Sequence, residues 1–269
     1  MKSIITAWIL AIVITLSAAY YQRKTGPTYP IKGSFDKENT KFKYHFPRSC
    51  DSDKNAIIEI SEFNNPENLF LKYKRFNTND EFAVIGFRNE SDKLIAELPM
   101  QPPAGKLIYE VIYKAENKEV SISEKPVVIR FKGSVPAYIL VPHIIFIFLA
   151  MLLSNLSGIL AIFKNIKFRF YSFLTIISLS IGGMTLGPIV QKYAFGEFWT
   201  GVPFGWDLTD NKTLIAFIFW LLAVALNLKK PRPIYVIIAS IMLLIVFSIP
   251  HSMFGSELNY SSGVIGTAK

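Results

Sequence analysis

Cysteine is almost missing from this chain: Cys50 is the one thiol in 269 residues. A lone cysteine excludes an internal disulfide and any cysteine-based metal or haem-attachment motif, which leaves Cys50 as a free thiol without an assigned role. Histidine is nearly as scarce, occurring only as His45, His143 and His251, and these three are the main candidate ligands. Beyond residue 135 acidic residues are rare as well: Glu197, Asp207, Asp210 and Glu257 are the only four, and three of them fall between residues 193 and 213. There is no glycine-rich phosphate loop and no nucleophile with a paired base, so the sequence leans away from an enzyme.

What the chain has in excess is apolar residues and positive charge. Hydrophobic residues make up 51% of it and the mean hydropathy is +0.33. They concentrate in 4–20 and in four blocks, 135–163, 170–190, 214–228 and 234–249. Each block is near the roughly 20 residues that cross a ~30 Å hydrocarbon core. The net charge of +9 does not imply nucleic acid, because residues 22–135 hold 19 Lys/Arg against 16 Asp/Glu, intermixed, with no basic stripe carrying interleaved aromatics. Six of the remaining cations sit in two short loops, Lys164, Lys167 and Arg169 in one, Lys229, Lys230 and Arg232 in the other.

By the positive-inside rule both loops are cytoplasmic. The expected topology then has five spans in a cell inner (plasma) membrane. The N-terminus is cytoplasmic, and the polar segment and C-terminus are extracytoplasmic. Arg23 and Lys24, which follow the first span, oppose this assignment and are outvoted by the two loops. Segment 1–21 also reads as a signal peptide, since Ser17-Ala18-Ala19 offers small residues for cleavage; the uncleaved anchor is preferred, and the polar segment is exported in both cases.

The exported part, 22–135, alternates apolar and polar residues in short runs at 42–46, 56–60, 69–75, 82–88, 94–98, 106–113 and 127–131, divided by turn residues. Strands at this spacing predict a two-sheet sandwich. The stretch Ala96-Glu97-Leu98-Pro99-Met100-Gln101-Pro102-Pro103-Ala104-Gly105-Lys106-Leu107-Ile108-Tyr109-Glu110-Val111 resembles the region between strands E and F of fibronectin type III and other immunoglobulin-like modules. The resemblance implies a partner-binding or spacer role. His45, beside Lys43 and Arg48, reads as a surface imidazole.

The predicted architecture is therefore a membrane protein with an N-terminal anchor helix, an extracytoplasmic immunoglobulin-like β-sandwich over 22–135, and a four-helix transmembrane bundle over 136–269 with an outer loop at 191–213. Gly182, Gly183 and Gly187 form a small-residue face for close helix approach. The topology brings His143, His251 and the outer loop to one membrane level.

That loop reads Phe195-Gly196-Glu197-Phe198-Trp199, five residues of connection including Pro203, then Gly205-Trp206-Asp207-Leu208-Thr209-Asp210. It resembles the tryptophan-rich WWD segment of the membrane haem-handling proteins of cytochrome c assembly, roughly W-G-x-x-W-x-W-D-x-x-E, with Phe for the first Trp and Asp for the final Glu. That family also flanks the segment with histidines, the second in a His-Ser-aromatic-x-Gly setting similar to His251-Ser252-Met253-Phe254-Gly255. Extra residues separate the two halves of the loop here, and the family has neither so few spans nor a preceding immunoglobulin-like domain.

The resemblance implies that His143 and His251 are axial ligands of a haem iron lying against Trp199 and Trp206, with Asp207 beside it, in cytochrome assembly or membrane electron transfer. The same inventory also suits a non-haem metal at His143 and His251. Two further readings stay open. Trp at the headgroup level is the usual aromatic belt, a His one turn from a helix end can simply hydrogen-bond a loop carbonyl, and Asp207, Asp210 and Asn211 are suited to capping the next helix. The chain also fits a non-catalytic anchoring or assembly subunit, whose partners are the bilayer and other membrane or exported proteins, with the sandwich docking one of them. A transporter is disfavoured by the lack of an inverted repeat or a mid-membrane charge.

Overall fold

The computed structural model describes all residues except 1, 38–39, 64, 116–117, 251–252, 254 and 268–269. The chain divides into a helical unit, 1–27 with 135–255 and 267–269, and a β-rich unit, 28–134 with 256–266.

In the β-rich unit the strands are β1 (Ile31–Lys37), β2 (Thr40–Phe46), β3 (Ser49–Asp51), β4 (Ala56–Ser61), β5 (Leu69–Arg75), β6 (Ala83–Gly86), β7 (Arg88–Glu90), β8 (Lys93–Leu98), β9 (Lys106–Ala115), β10 (Lys118–Ser121) and β11 (Val127–Lys132). One sheet runs β1-β2-β4-β8-β7. The other runs β3-β11-β9-β5-β6, with β10 also beside β9. Among the described residues, β3 and β11 alone pair in parallel in these sheets. Six of the seven expected strands form as single strands, whereas 82–88 breaks at Phe87 into β6 of one sheet and the start of β7 of the other; β1, β3 and β10 add strands that their polar sequences hide.

Period-two alternation dictates which faces meet. Ala56, Ile58 and Ile60 of β4 are buried while Ile57 is exposed, and Leu107, Tyr109 and Val111 of β9 face the same apolar core from the other sheet. Phe35 stacks on Phe42 with ring centroids 4.9 Å apart, and the buried Tyr109 hydroxyl donates to the Pro47 carbonyl at 2.8 Å. Burial raises the Cys50 thiol above its ordinary pKa, which keeps it protonated and unreactive at neutral pH. His45 is pushed down by burial and by Lys32, so it is neutral there.

The last segment departs from the expected boundary. It was read as part of the membrane portion, yet β12 (Ser256–Leu258) and β13 (Ile265–Thr267) form a hairpin, and 256–266 belong to the β-rich unit. Bonds to the upstream strands and loops hold it. Leu258 N donates to Ala104 O at 3.0 Å, Arg130 donates to Ser256 O at 2.7 Å, and Asn77 donates to Glu257 at 2.8 Å. Lys106 pairs with Glu257, and the Tyr260 hydroxyl lies 3.0 Å from both Lys106 O and Gln101 Oε1. The partners of this short polar stretch lie more than a hundred residues upstream, beyond the reach of any local pattern.

The helices are α1 (Lys2–Thr25), α2 (Ala137–Ile162), α3 (Phe168–Leu179), α4 (Gly187–Phe195), α5 (Leu208–Asn227) and α6 (Pro233–Ser248), with a π-helical turn, Ser180–Leu186, joining α3 to α4. Four are long and apolar enough to cross a membrane: α1, α2, the α3–α4 rod over Phe168–Phe195, and α5. The protein is thus membrane-associated through these helices. The expected fifth span forms as a helix but has 16 residues, about 24 Å at 1.5 Å per residue, short of a ~30 Å core.

Helix α1 packs on the others through Ala7, Ala11 and Thr15, a buried stripe at four-residue spacing. Trp8 meets Tyr171 edge-on at 5.8 Å near its start, Asn155 donates to Thr15 at 3.0 Å midway, and Gln22 donates to Phe247 O at 2.6 Å near its end. Where α2 and α6 approach, a Cβ on Gly158 would sit 2.5 Å from the Ser240 hydroxyl oxygen; the glycine lets that hydroxyl reach Ser154 O at 2.9 Å.

Burial pushes the Tyr260 hydroxyl up to about 12. A raised folded-state pKa stabilises below the unfolded value near 10 and loses that contribution as pH climbs from about 10 to 12. Denaturation of the full chain across this window should therefore show a falling stability that Tyr260→Phe flattens; identical slopes for both proteins would refute the assignment. Tyr109, also raised by burial, contributes equally to both and cancels in the comparison.

Candidate functional site at one end of the helical unit

The site begins with a proline and a glycine. Pro142, in the second turn of α2, has no N–H to give to the carbonyl of Tyr138, and His143 follows it. Across from it the π-helical turn carries Gly182, where an added Cβ would fall 2.8 Å from the Phe146 Cβ and 3.0 Å from the Ile147 nitrogen. Only hydrogen fits there, so the two backbones approach closely, and Gly182 O comes within 2.9 Å of His143 Nδ1. The same carbonyl takes the N–H of Gly187, five residues on, so both of its lone pairs are used.

This contact determines the tautomer. A carbonyl oxygen can only accept, so Nδ1 carries the proton and Nε2 presents its lone pair. Among the described residues nothing donates to Nε2. An imidazole held by an Nδ1–H bond to a backbone carbonyl, with Nε2 open, has the arrangement of a metal-ligating histidine.

The loop between α4 and α5 is fastened by its own polar groups. Gly196 ends α4 in the left-handed conformation that glycine adopts without penalty. The buried Asp210 carboxylate accepts from Thr200 N at 2.6 Å, from Gln191 Nε2 at 3.1 Å and from the Thr200 hydroxyl at 3.3 Å. Asn211 Oδ1 accepts from Val202 N at 2.8 Å, and Trp199 Nε1 donates to Val202 O at 3.1 Å. Asp207 caps α5 by accepting from Thr209 N at 2.7 Å.

The expected site residues therefore take different roles. Asp207 is buried as an N-cap, and Trp199 is half-buried and tied to its own loop. Trp206 is 78% exposed and Phe204 82% exposed, so these two rings project from the loop. His143 is held against the π-helical turn. His251 lies outside the described residues, as do Ser252 and Phe254. Among the described residues no three His, Cys, Asp or Glu side chains gather to hold a metal ion.

Sequence reasoning passed over Lys212. It is 2% exposed, lies one turn into α5, and donates to Ile249 O at 2.8 Å, at the chain end of α6 where Gln22 also donates to Phe247 O. Cations favour a helix C-terminus, whose last carbonyls lack partners, and here a lysine and an amide supply them. The available signal was a lysine directly before the apolar run of α5. Gln191, Asn211 and Gln22 carried no such signal, since amides in loops are ordinary.

The chain matches no known family pattern, no curated protein and no solved structure.

Two outcomes follow for this region. Asp210→Ala leaves the amide of Thr200 and the side chain of Gln191 without their acceptor, at a cost of about 1.5–3 kcal/mol for bonds to a charged group. The loop should then be cleaved faster by added protease and exchange the Thr200 amide faster, with Asp210→Asn intermediate; unchanged protection would contradict the fastening role. Gly182→Ala forces α2 and the π-helical turn apart at about 1–3 kcal/mol, and should lower the thermal midpoint more than Gly187→Ala, whose Cβ meets only ordinary contacts.

Proposed function

We propose that this membrane protein binds or handles haem at its extracytoplasmic face, in cytochrome assembly or membrane electron transfer. The observation that carries the reading is the His143 imidazole, whose Nδ1–H is taken by Gly182 O and whose Nε2 is left as an electron-pair donor. That donor chemistry fits haem iron. His143 and His251 would be the two ligands, the exposed Trp206 ring would be free to lie on the macrocycle, Trp199 would hold the loop in place through Val202, and Asp207 would cap the start of α5 beside it. When bound, haem supplies an iron centre that accepts and releases one electron. The chain's part is to fix the imidazole tautomer through Gly182 and to present apolar rings to an amphipathic ligand.

The sidedness belongs to the same proposal. Its support is the collection of six cations in the two loops joining α2 to α3 and α5 to α6, and the contact of α1 near its start with Tyr171 at the start of α3. The N-terminus and these loops are then cytoplasmic in a plasma membrane, and the acidic loop lies outside. We also read the β-rich unit as an immunoglobulin-like module, because the sheet orders β2-β4-β8 and β11-β9-β5-β6 match strands A-B-E and G-F-C-C′ of such sandwiches, with the residues of the quoted resemblance falling on β8 and β9.

A second reading, an anchoring or assembly subunit, is favoured by a separate observation. Asp207, Asp210 and Asn211 of the 196–211 loop are used within the protein while Phe204 and Trp206 project outward, which suits a protein contact.

Absorbance separates the two. Purified full chain titrated with haemin should develop a Soret band of bis-imidazole type, lost in His143→Ala and in His251→Ala and partly restored to either by added imidazole. A wild-type protein that stays colourless yet copurifies with other membrane subunits would sink the haem reading in favour of the second.

A further inference from the structure

The opposite end of the helical unit gathers cations around an apolar cleft. We infer that this end is a binding site for an anionic phospholipid, the phosphate held by the basic loops and the acyl chains lying against α5. The inference stands apart from the haem reading.

The cleft has a volume of about 340 Å³ and is lined by Ala225, Leu226, Leu228, Lys229, Lys230 and Arg232. Its two loops are joined physically, because Arg169, at the start of α3, donates from Nη2 to Leu228 O at 2.7 Å. The turn after α5 is set by the buried Asn227, which donates to Ala223 O at 2.8 Å and Arg232 O at 3.1 Å and accepts from Arg232 N at 2.6 Å. The backbone is thus fixed by two groups that are not needed for the ligand, and the cations project from a rigid edge.

Charge decides which ligand suits it. Lys164, Lys167, Lys229, Lys230 and Arg232 are exposed, and none of them forms an ion pair among the described residues. None could within this end of the unit, since residues 158–193 and 213–247 contain no Asp or Glu. Helix termini do not offset the charge, because α2 and α5 end here while α1, α3 and α6 begin. Six cations at the edge of an apolar surface leave a strong positive potential that counter-ions screen only partly within a Debye length of about 8 Å.

The apolar half selects a lipid over a free anion. Leu226 and Leu228 are exposed beside the lysines, and Leu221, Leu222 and Ile218 continue an exposed apolar surface along α5. A free phosphate would use only the cations. A phospholipid with a negatively charged headgroup matches both parts, as basic pockets beside membrane helices do for acidic lipid headgroups.

Calorimetry on the detergent-solubilised full chain tests this with short-chain phosphatidylglycerol, short-chain phosphatidylcholine and inorganic phosphate. Phosphatidylglycerol should bind at least about tenfold tighter than the other two, with about fivefold lost per cation removed near the membrane surface. Lys229→Gln/Lys230→Gln/Arg232→Gln should abolish the preference, and Lys164→Gln/Lys167→Gln, which touches neither Arg169 nor Asn227, should weaken it while leaving the helical circular dichroism unchanged. Equal affinity for the two lipids, inorganic phosphate binding as tightly as phosphatidylglycerol, or a folded double variant with its preference intact would each overturn the site.

Discussion

Polar groups surrounded by hydrocarbon must find partners inside the protein, and this requirement organises the helical unit. Hydroxyls solve it locally by donating one turn back, as Ser157 does to Leu153 O, Ser172 to Phe168 O, Thr175 to Tyr171 O and Ser180 to Ile176 O. The longer polar side chains solve it between elements: Asn155 to Thr15, Asn227 to the turn after α5, Gln22 and Lys212 to the last carbonyls of α6. Within this unit Ser154 Oγ and Trp220 Nε1 are the buried exceptions among the described residues. His143 obeys the same rule with one nitrogen and leaves the other over, which is why the functional proposal rests on it.

The two ends of the unit differ in kind. At one, cations sit on the outside of a turn whose carbonyls are already bonded, so their charge is available to a ligand. At the other, the charged groups Asp207, Asp210 and Lys212 are buried and bonded to backbone, and the exposed groups of α4 and the loop after it include the rings of Phe198, Phe204 and Trp206 with the single charges of Lys192 and Glu197. The first end can attract an anion through its field, whereas at the second the exposed cation and the exposed anion of α4 and its loop offset each other and leave shape, rings and an imidazole lone pair. A cost of about 2.5–3.5 kcal/mol for placing a charge within a span has to be offset by partners, and here backbone groups supply them.

Much of the architecture was legible because its causes are local. Runs of apolar residues mark the helices, period-two alternation marks β4, β5, β8 and β9, and Asp207 before Leu208 marks a helix start. The site was legible only as an inventory. His143 stood out by scarcity, but its partner Gly182 lies 39 residues away, and no pattern within either helix says that the two meet. Lys212 was overlooked because a lysine at a span boundary usually reaches water, and its burial depends on where α6 ends. Trp206 was expected to cover a ligand with Trp199, yet the turn between them sends one ring outward and ties the other to its own loop.

Composition and periodicity by themselves determined that the chain has a polar β-rich portion, apolar helices long enough for a membrane, and charge sorted between their ends, since each depends on residues near one another along the chain. Tertiary structure alone decided the tautomer of His143, the burial of Lys212, the joining of the two basic loops through Arg169 and Leu228, and the return of residues 256–266 to the β-rich unit. Each of these rests on a partner tens to hundreds of residues distant, and such a partner is chosen by packing and by the need to satisfy buried polar groups rather than by local sequence.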